Sequence, residues 1–196
     1  MTRRLPDDGE PEREDEQPGL SLPGDVVLRP WRPEDVPGLL LAQRDPMVRH
    51  YAGRLLEDRE SALMVVQSWV RDWYDAAGAA WAVTARGGAV LGMVRFALID
   101  VNLGTGSVGY WLLPDARGRG IATEALRRTT TVVFDRLEWH RVELYHAVEN
   151  ERSCGVARRA GYRAEGVMRS AMRYPVDGRW SDEHLHARLA TDPEPR

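Results

Sequence analysis

Leu112-Leu113-Pro114-Asp115-Ala116-Arg117-Gly118-Arg119-Gly120-Ile121-Ala122 is the stretch on which the fold turns. It joins an apolar run, Gly106 to Leu113, to a segment from Ile121 to Leu137 that reads as a helix, with Ala122, Ala125, Leu126, Val133 and Leu137 available for packing. A glycine-rich turn between strand and helix is an anion site. Glycines let the backbone come close to a ligand, the first helical N–H groups have no partner within the helix, and the helix dipole favours phosphate oxygens. Arg117 and Arg119 can add charge-assisted bonds. A dinucleotide fingerprint aligned at Gly118 needs a small residue at Thr123 and a ribose-binding acid on the next strand, and the sequence offers neither.

Before this stretch, Val26-Val27-Leu28 reads as a strand, and Pro33-Glu34-Asp35 opens a helix that Asp45-Pro46 stops. Leu63, Val66, Val70 and Trp73 recur at helical spacing and predict a second helix over 58–76. Trp81 to Thr84 and Val90 to Phe96, joined by Arg86-Gly87-Gly88, predict a hairpin. After the central helix come a strand over Arg141 to Val148, a short helix over Glu151 to Arg159 stopped at Gly161-Tyr162, and strands over Arg163 to Tyr174 and Trp180 to Leu189. The order is β-α-α-β-β-β-α-β-α-β-β, with no internal repeat.

Residues 1–24 carry net charge −4, four prolines and three glycines, and are expected to form a disordered acidic leader. Residues 25–190 are expected to form one domain, and 191–196 a flexible tail. The whole chain, 196 residues at net charge −3, has no lysine; all 27 basic residues are arginine. Lysine Schiff bases and P-loop lysines are thereby excluded. Its one cysteine, Cys154, excludes an internal disulfide and a cysteine-rich zinc site. No basic field points to direct nucleic-acid binding, and no apolar run approaches the roughly 20 residues that span a bilayer. The expectation is a cytoplasmic chain without a membrane anchor or metal.

Arg117-x-x-Gly120-x-Ala122 resembles the pyrophosphate loop of the GNAT acetyltransferase family. Asn150-Glu151-Arg152-Ser153, Ala160-Gly161-Tyr162, Glu165-Gly166, Gly109-Tyr110-Trp111-Leu112, His140-Arg141 and Gly178-x-Trp180-x-Asp182 resemble motifs of its RimJ/RimL branch, in order. The resemblance covers Val26 to Leu189. It implies an α+β GNAT fold: a twisted, mixed but mostly antiparallel sheet of about seven strands, splayed at two parallel central strands and flanked by about four helices.

The resemblance also implies roles. Acetyl-CoA would lie between Gly106–Leu113 and Arg141–Val148, held by Leu112, Leu113, Arg117, Gly118, Arg119, Gly120, Ile121 and Ala122, with Asn150 on the pantetheine arm. Backbone N–H groups from Trp111 to Leu113 would polarise the thioester. Ser153 would protonate the leaving thiolate, or else merely cap its helix; the tyrosine that many relatives use is replaced by Ala157. Ser107 and Met172 stand where relatives carry acids, leaving Glu149, His146, Glu143 and Asp182 as candidate bases, the first two preferred. Tyr51, Tyr110, Tyr174 and Trp180 would meet the amine acceptor, a protein or peptide α-amino group. A small amine such as an aminoglycoside, polyamine or amino acid, and a non-catalytic CoA-binding module, are the alternatives. The resemblance leaves a monomer and a homodimer both open.

Overall fold

The computed structural model describes residues 16–51, 55–56 and 58–195. Eight strands form one sheet: β1 (Leu20–Leu22), β2 (Val26–Pro30), β3 (Gly78–Ala85), β4 (Val90–Asp100), β5 (Thr105–Leu112), β6 (Arg141–Ala147), β7 (Arg163–Arg173) and β8 (Trp180–Leu189). Their order is β1-β2-β3-β4-β5-β6-β8-β7, antiparallel except at β5–β6. The helices are α1 (Val36–Ala42), α2 (Pro46–Tyr51), α3 (Arg59–Tyr74), α4 (Ile121–Leu137) and α5 (Glu151–Arg159).

Strand β3 shows how the layers are built. Residues alternate between the two faces of a strand. Ala80 and Ala82 join Trp31, Leu39, Val66 and Trp69 in one core, beneath α1 and α3. Trp81 and Val83 face the other core, with Phe96, Leu126, Val133, Val142 and Leu144 beneath α4. The buried stripe of α3 is Ala62, Val66, Trp69 and Trp73. It is rotated from the predicted one, and Val70 faces outward.

The structure corrects three boundaries. The sheet starts at Leu20, inside the segment read as a leader: Leu20 and Leu22 pair with Leu28 and Val26 across a turn at Gly24 and Asp25, both at positive φ. Gln17 and Pro18 bond to Ala80 and Trp81 and fasten this segment to β3. A local composition count misses such long-range partners. Residues 1–15 lie outside the described residues. Asp45-Pro46 ends α1 but also starts α2, whose Val48 N–H donates to Asp45 Oδ1 at 2.9 Å. Proline at a first helical position lacks only an N–H that would have gone unused.

The third correction concerns the tail read as flexible. Glu194 pairs at 3.0 Å with Arg188, a cation that is only 1 % exposed, and also accepts from Thr131. Pro195 accepts from Arg127. A buried cation needs its counter-charge more than a surface one does. Glu194→Ala is expected to cost about 1–2 kcal/mol, less than a fully buried pair because Glu194 is largely solvated, as read by urea unfolding.

Candidate active site

Strands β5 and β6 pair only from Thr105–Arg141 to Ser107–Glu143, then diverge. Beyond that point Val108–Leu112 and Leu144–Ala147 line opposite walls of a cleft of 1170 Å³. Each strand is saturated on its outer edge, by β4 and β8, so the facing edges carry unpaired backbone groups. Leu113 N–H donates to Leu91 O at 2.8 Å, across β4. Alternation in the ladder therefore turns the Leu112 N–H toward the cleft. This narrows the Trp111 to Leu113 expectation to Leu112.

The glycine turn closes one end of the cleft. Gly118 and Gly120 have φ of 72° and 76°, and a Cβ on either would meet nothing within 4 Å. No side chain caps α4, so its first N–H groups stay available beside this open space. Of the residues expected at the donor, Leu112, Arg117, Gly118, Ala122 and Asn150 line the cleft. Ile121 packs into the core, Gly120 is the α4 N-cap, and Arg119 reaches toward the Gly24 turn.

Arg117 is engaged within the protein rather than left free for an anion. Its Nε donates to Leu112 O at 2.9 Å and its Nη2 to Asp45 Oδ1 at 2.5 Å. It braces the turn against β5 and the α1–α2 junction. Burial pushes the Asp45 carboxyl up, but bonds from Arg117 and Val48 outweigh it and hold the group below its ordinary value. A carboxyl lowered on folding stabilises above its unfolded pKa near 3.9, and that stability is lost as pH falls through the folded value. Asp45→Asn is expected to cost about 2 kcal/mol at pH 7 and to reduce the loss of stability below about pH 4, as seen in urea melts across pH.

Across the gap, beyond the C-terminal end of β6, Asn150 caps α5, its Oδ1 accepting from Ser153 N–H at 3.2 Å. The cap is therefore Asn150, and the Ser153 hydroxyl is released for another partner. Its Oγ lies 3.0 Å from Tyr110 Oη on β5, so one hydrogen bond bridges the gap between the diverging strands. Burial raises the Tyr110 phenol, offset in part by Ser153 and Arg159, so it remains neutral and either hydroxyl can donate to the other. Ala157 is fully buried.

Beside this pair, His50, Tyr51 and Tyr174 form an aromatic cluster with centroids 4.6 to 5.7 Å apart. Tyr51 and Tyr174 line the cleft, whereas Trp180 stands 60 % exposed outside it. Tyr174 donates to Glu183 at 2.9 Å. Glu183 is buried, and burial raises its carboxyl above the ordinary value. Sequence reading passed over Glu183. Its signal is an acid on the inward face of β8, between Ser181 and Leu185 and opposite Ala147.

The other candidate bases are occupied. His146 Nδ1 lies 2.9 Å from Ala147 O and Nε2 3.2 Å from His186 Nε2, and burial lowers its pKa. Glu149 is half-exposed and faces Arg179 at 3.5 Å. Glu143 accepts from Arg141 and Tyr145, and Asp182 from the Ser170 N–H.

A splayed parallel pair, a glycine turn feeding a helix N-terminus and a serine at the mouth of the gap together define a GNAT-type site. The family model "Acetyltransferase (GNAT) domain" matches residues 25–163, and the chain belongs to that family. The chain is 32% identical over 108 residues to YdaF of Bacillus subtilis, provisionally named a ribosomal N-acetyltransferase, a match spanning 55% of this chain and 58% of YdaF. It is 29% identical over 100 residues to the ribosomal-protein-serine acetyltransferase of Escherichia coli, spanning 51% and 55%. The chain thus matches a little over half the length of these curated relatives. RimL, a ribosomal-protein α-N-acetyltransferase solved with coenzyme A, superposes with TM-score 0.79 at 21% identity, over 88% of this chain and 98% of that one.

Proposed function

We propose that this chain transfers an acetyl group from acetyl-CoA to a primary amine by direct attack of the amine on the thioester. The observation that carries the reading is the Tyr110–Ser153 hydrogen bond across the mouth of the β5–β6 splay. It sets a proton donor between two unpaired strand edges, with a glycine-lined anion site at the end of one of them.

The residues divide the work as follows. Gly118, Gly120 and the first N–H groups of α4 receive the pyrophosphate, and the free edges of β5 and β6 pair with the amide-bearing arm. The Leu112 N–H faces the thioester carbonyl and stabilises the charge that builds there. As the C–N bond forms and the C–S bond breaks, Ser153 gives its proton to the sulfur and regains one from Tyr110. On the acceptor side, Tyr174 takes the ammonium proton that blocks attack while passing its own to Glu183, and the second nitrogen proton, released once the C–N bond has formed, goes to water in the cleft. Glu149, at the solvent side and paired with Arg179, adds negative potential that favours a cationic amine entering.

The names of the relatives support a protein α-amino group as acceptor, and the Tyr51–Tyr174 ring pair lines the cleft wall that its chain end would meet. Among the described residues no helix is long and apolar enough to cross a membrane. The proton route is tested by Tyr174→Phe. Without the relay, the acid limb of the kcat/KM profile is expected to move up toward the ~8 of a free α-amino group. An unchanged limb removes Tyr174 from the route.

A further inference from the structure

Where α5 covers β6 and β8, at the wall of the cleft that His146 also lines, four side chains of metal-ligand chemistry meet. His146 on β6, His184 and His186 on β8 and Cys154 on α5 each supply one ligand atom, and all four atoms lie within 4.8 Å of one another. Backbone geometry assembles them. His146 is the register partner of His184, His186 lies two residues further along the same face, and Cys154 is one turn into α5 from its Asn150 cap.

The hydrogen bonding of the cluster is unresolved without a cation. His146 and His186 stack with centroids 5.2 Å apart and bring their Nε2 atoms within 3.2 Å. With its Nδ1–H donating to Ala147 O, His146 aims an Nε2 lone pair at His186. If His186 answers with an Nε2–H, its own Nδ1 is a bare, buried lone pair with no donor, facing the Tyr162 backbone carbonyl. If the proton sits on Nδ1, two lone pairs oppose each other. A cation accepts both lone pairs at once. Two nitrogens on a tetrahedral ion, each bonded at about 2.0–2.1 Å, stand roughly 3.3–3.4 Å apart, close to the separation seen here. His184 adds a third imidazole at 82° to His146, and its Nδ1 is also buried without a hydrogen-bond partner. Cys154 is a free, half-buried thiol.

We propose that His146, His184, His186 and Cys154 form a tetrahedral site for a zinc-type divalent ion that fastens α5 to β6 and β8. Three imidazoles and a thiolate suit zinc rather than magnesium or calcium, which take oxygen ligands. Four protein ligands leave no open position, so the ion is structural. It holds the helix that carries Asn150 and Ser153, and its binding displaces the Cys154 thiol proton. The sequence, with ligands 40 residues apart and a single cysteine, gives a no-metal expectation that this geometry overrides.

The test reads metal occupancy and is independent of acetyl transfer. Full-length protein stripped with a chelator is titrated with Zn²⁺ against a chromophoric competitor, and its Co²⁺ form is examined by optical spectroscopy. One equivalent of Zn²⁺ per chain is expected, with the intense visible bands of four-coordinate cobalt and a thiolate-to-cobalt charge-transfer band. Cys154→Ser, near-isosteric and checked for folding by circular dichroism, is expected to abolish the charge-transfer band. It is also expected to weaken Zn²⁺ binding at least about 100-fold, the upper end of losses caused even by outer-shell changes. His184→Ala is expected to weaken binding too. Substoichiometric Zn²⁺ binding by the unaltered protein, or a six-coordinate cobalt spectrum, would overturn the proposal, as would binding unaffected in both variants.

Discussion

Ser153→Ala is expected to lower kcat for acetyl transfer by about 10²- to 10³-fold while the KM for acetyl-CoA changes by less than about threefold. The split follows from where the hydroxyl sits. Asn150, not Ser153, caps α5, and the glycine turn is held by Arg117 rather than by Ser153, so removing one oxygen leaves helix and donor site in place. What is lost is the proton for the departing sulfur. Tyr110→Phe removes only the group that resupplies it, and a smaller fall of about 10-fold is expected. Rapid-mixing kinetics with a thiol-trapping reagent separate the two variants. Equal kcat in Ser153→Ala and the unaltered protein would return Ser153 to a structural role.

The largest stability effect is expected at Trp81. This side chain is fully buried, packs edge-to-face on Trp73 and Phe96 and donates its indole N–H to Pro18 O at 2.8 Å. Trp81→Ala removes the largest fully buried side chain from the centre of the α4-side core, where close packing limits collapse of the cavity. A loss of about 3–5 kcal/mol is expected, lowering Tm by roughly 6–20 °C for a chain of this size. Trp81→Phe keeps most of the volume and drops one of the two bonds that fasten Gln17 and Pro18 to β3. It should cost about 1–2 kcal/mol and expose that segment first to limited proteolysis. Differential scanning calorimetry of the three proteins reads both effects.

The contrast between Trp81 and Leu20 shows what a sequence makes visible. Trp81 stands in an apolar run beside a glycine turn, and its strand is evident from local pattern. Leu20 and Leu22 stand among acids, prolines and glycines, and become a strand only because β2 offers them a free edge. The glycine turn was legible because it serves a backbone need set by residues within three or four positions, whereas the α5 cap expected at Ser153 falls to Asn150. Arg117 was not legible, because the partner that engages it, Asp45, is 72 residues away. Glu183 was missed for a similar reason: its burial depends on Tyr174 folding over it across the final hairpin. The His146, His184, His186 and Cys154 cluster needs both the β6–β8 register and the placement of α5, which no local pattern encodes.

The account rests on acetyl transfer driven from the β5–β6 splay. Its most direct test is release of free CoA thiol from acetyl-CoA by the purified protein, with a panel of N-terminal peptides and small amines, and Ser153→Ala as control. The prediction is acceptor-dependent thiol release, fastest with peptides bearing a free α-amino group and at least about 100-fold slower in the variant. Thiol release absent with every acceptor, although CoA binds, would contradict it and leave a CoA-binding module in place of an enzyme.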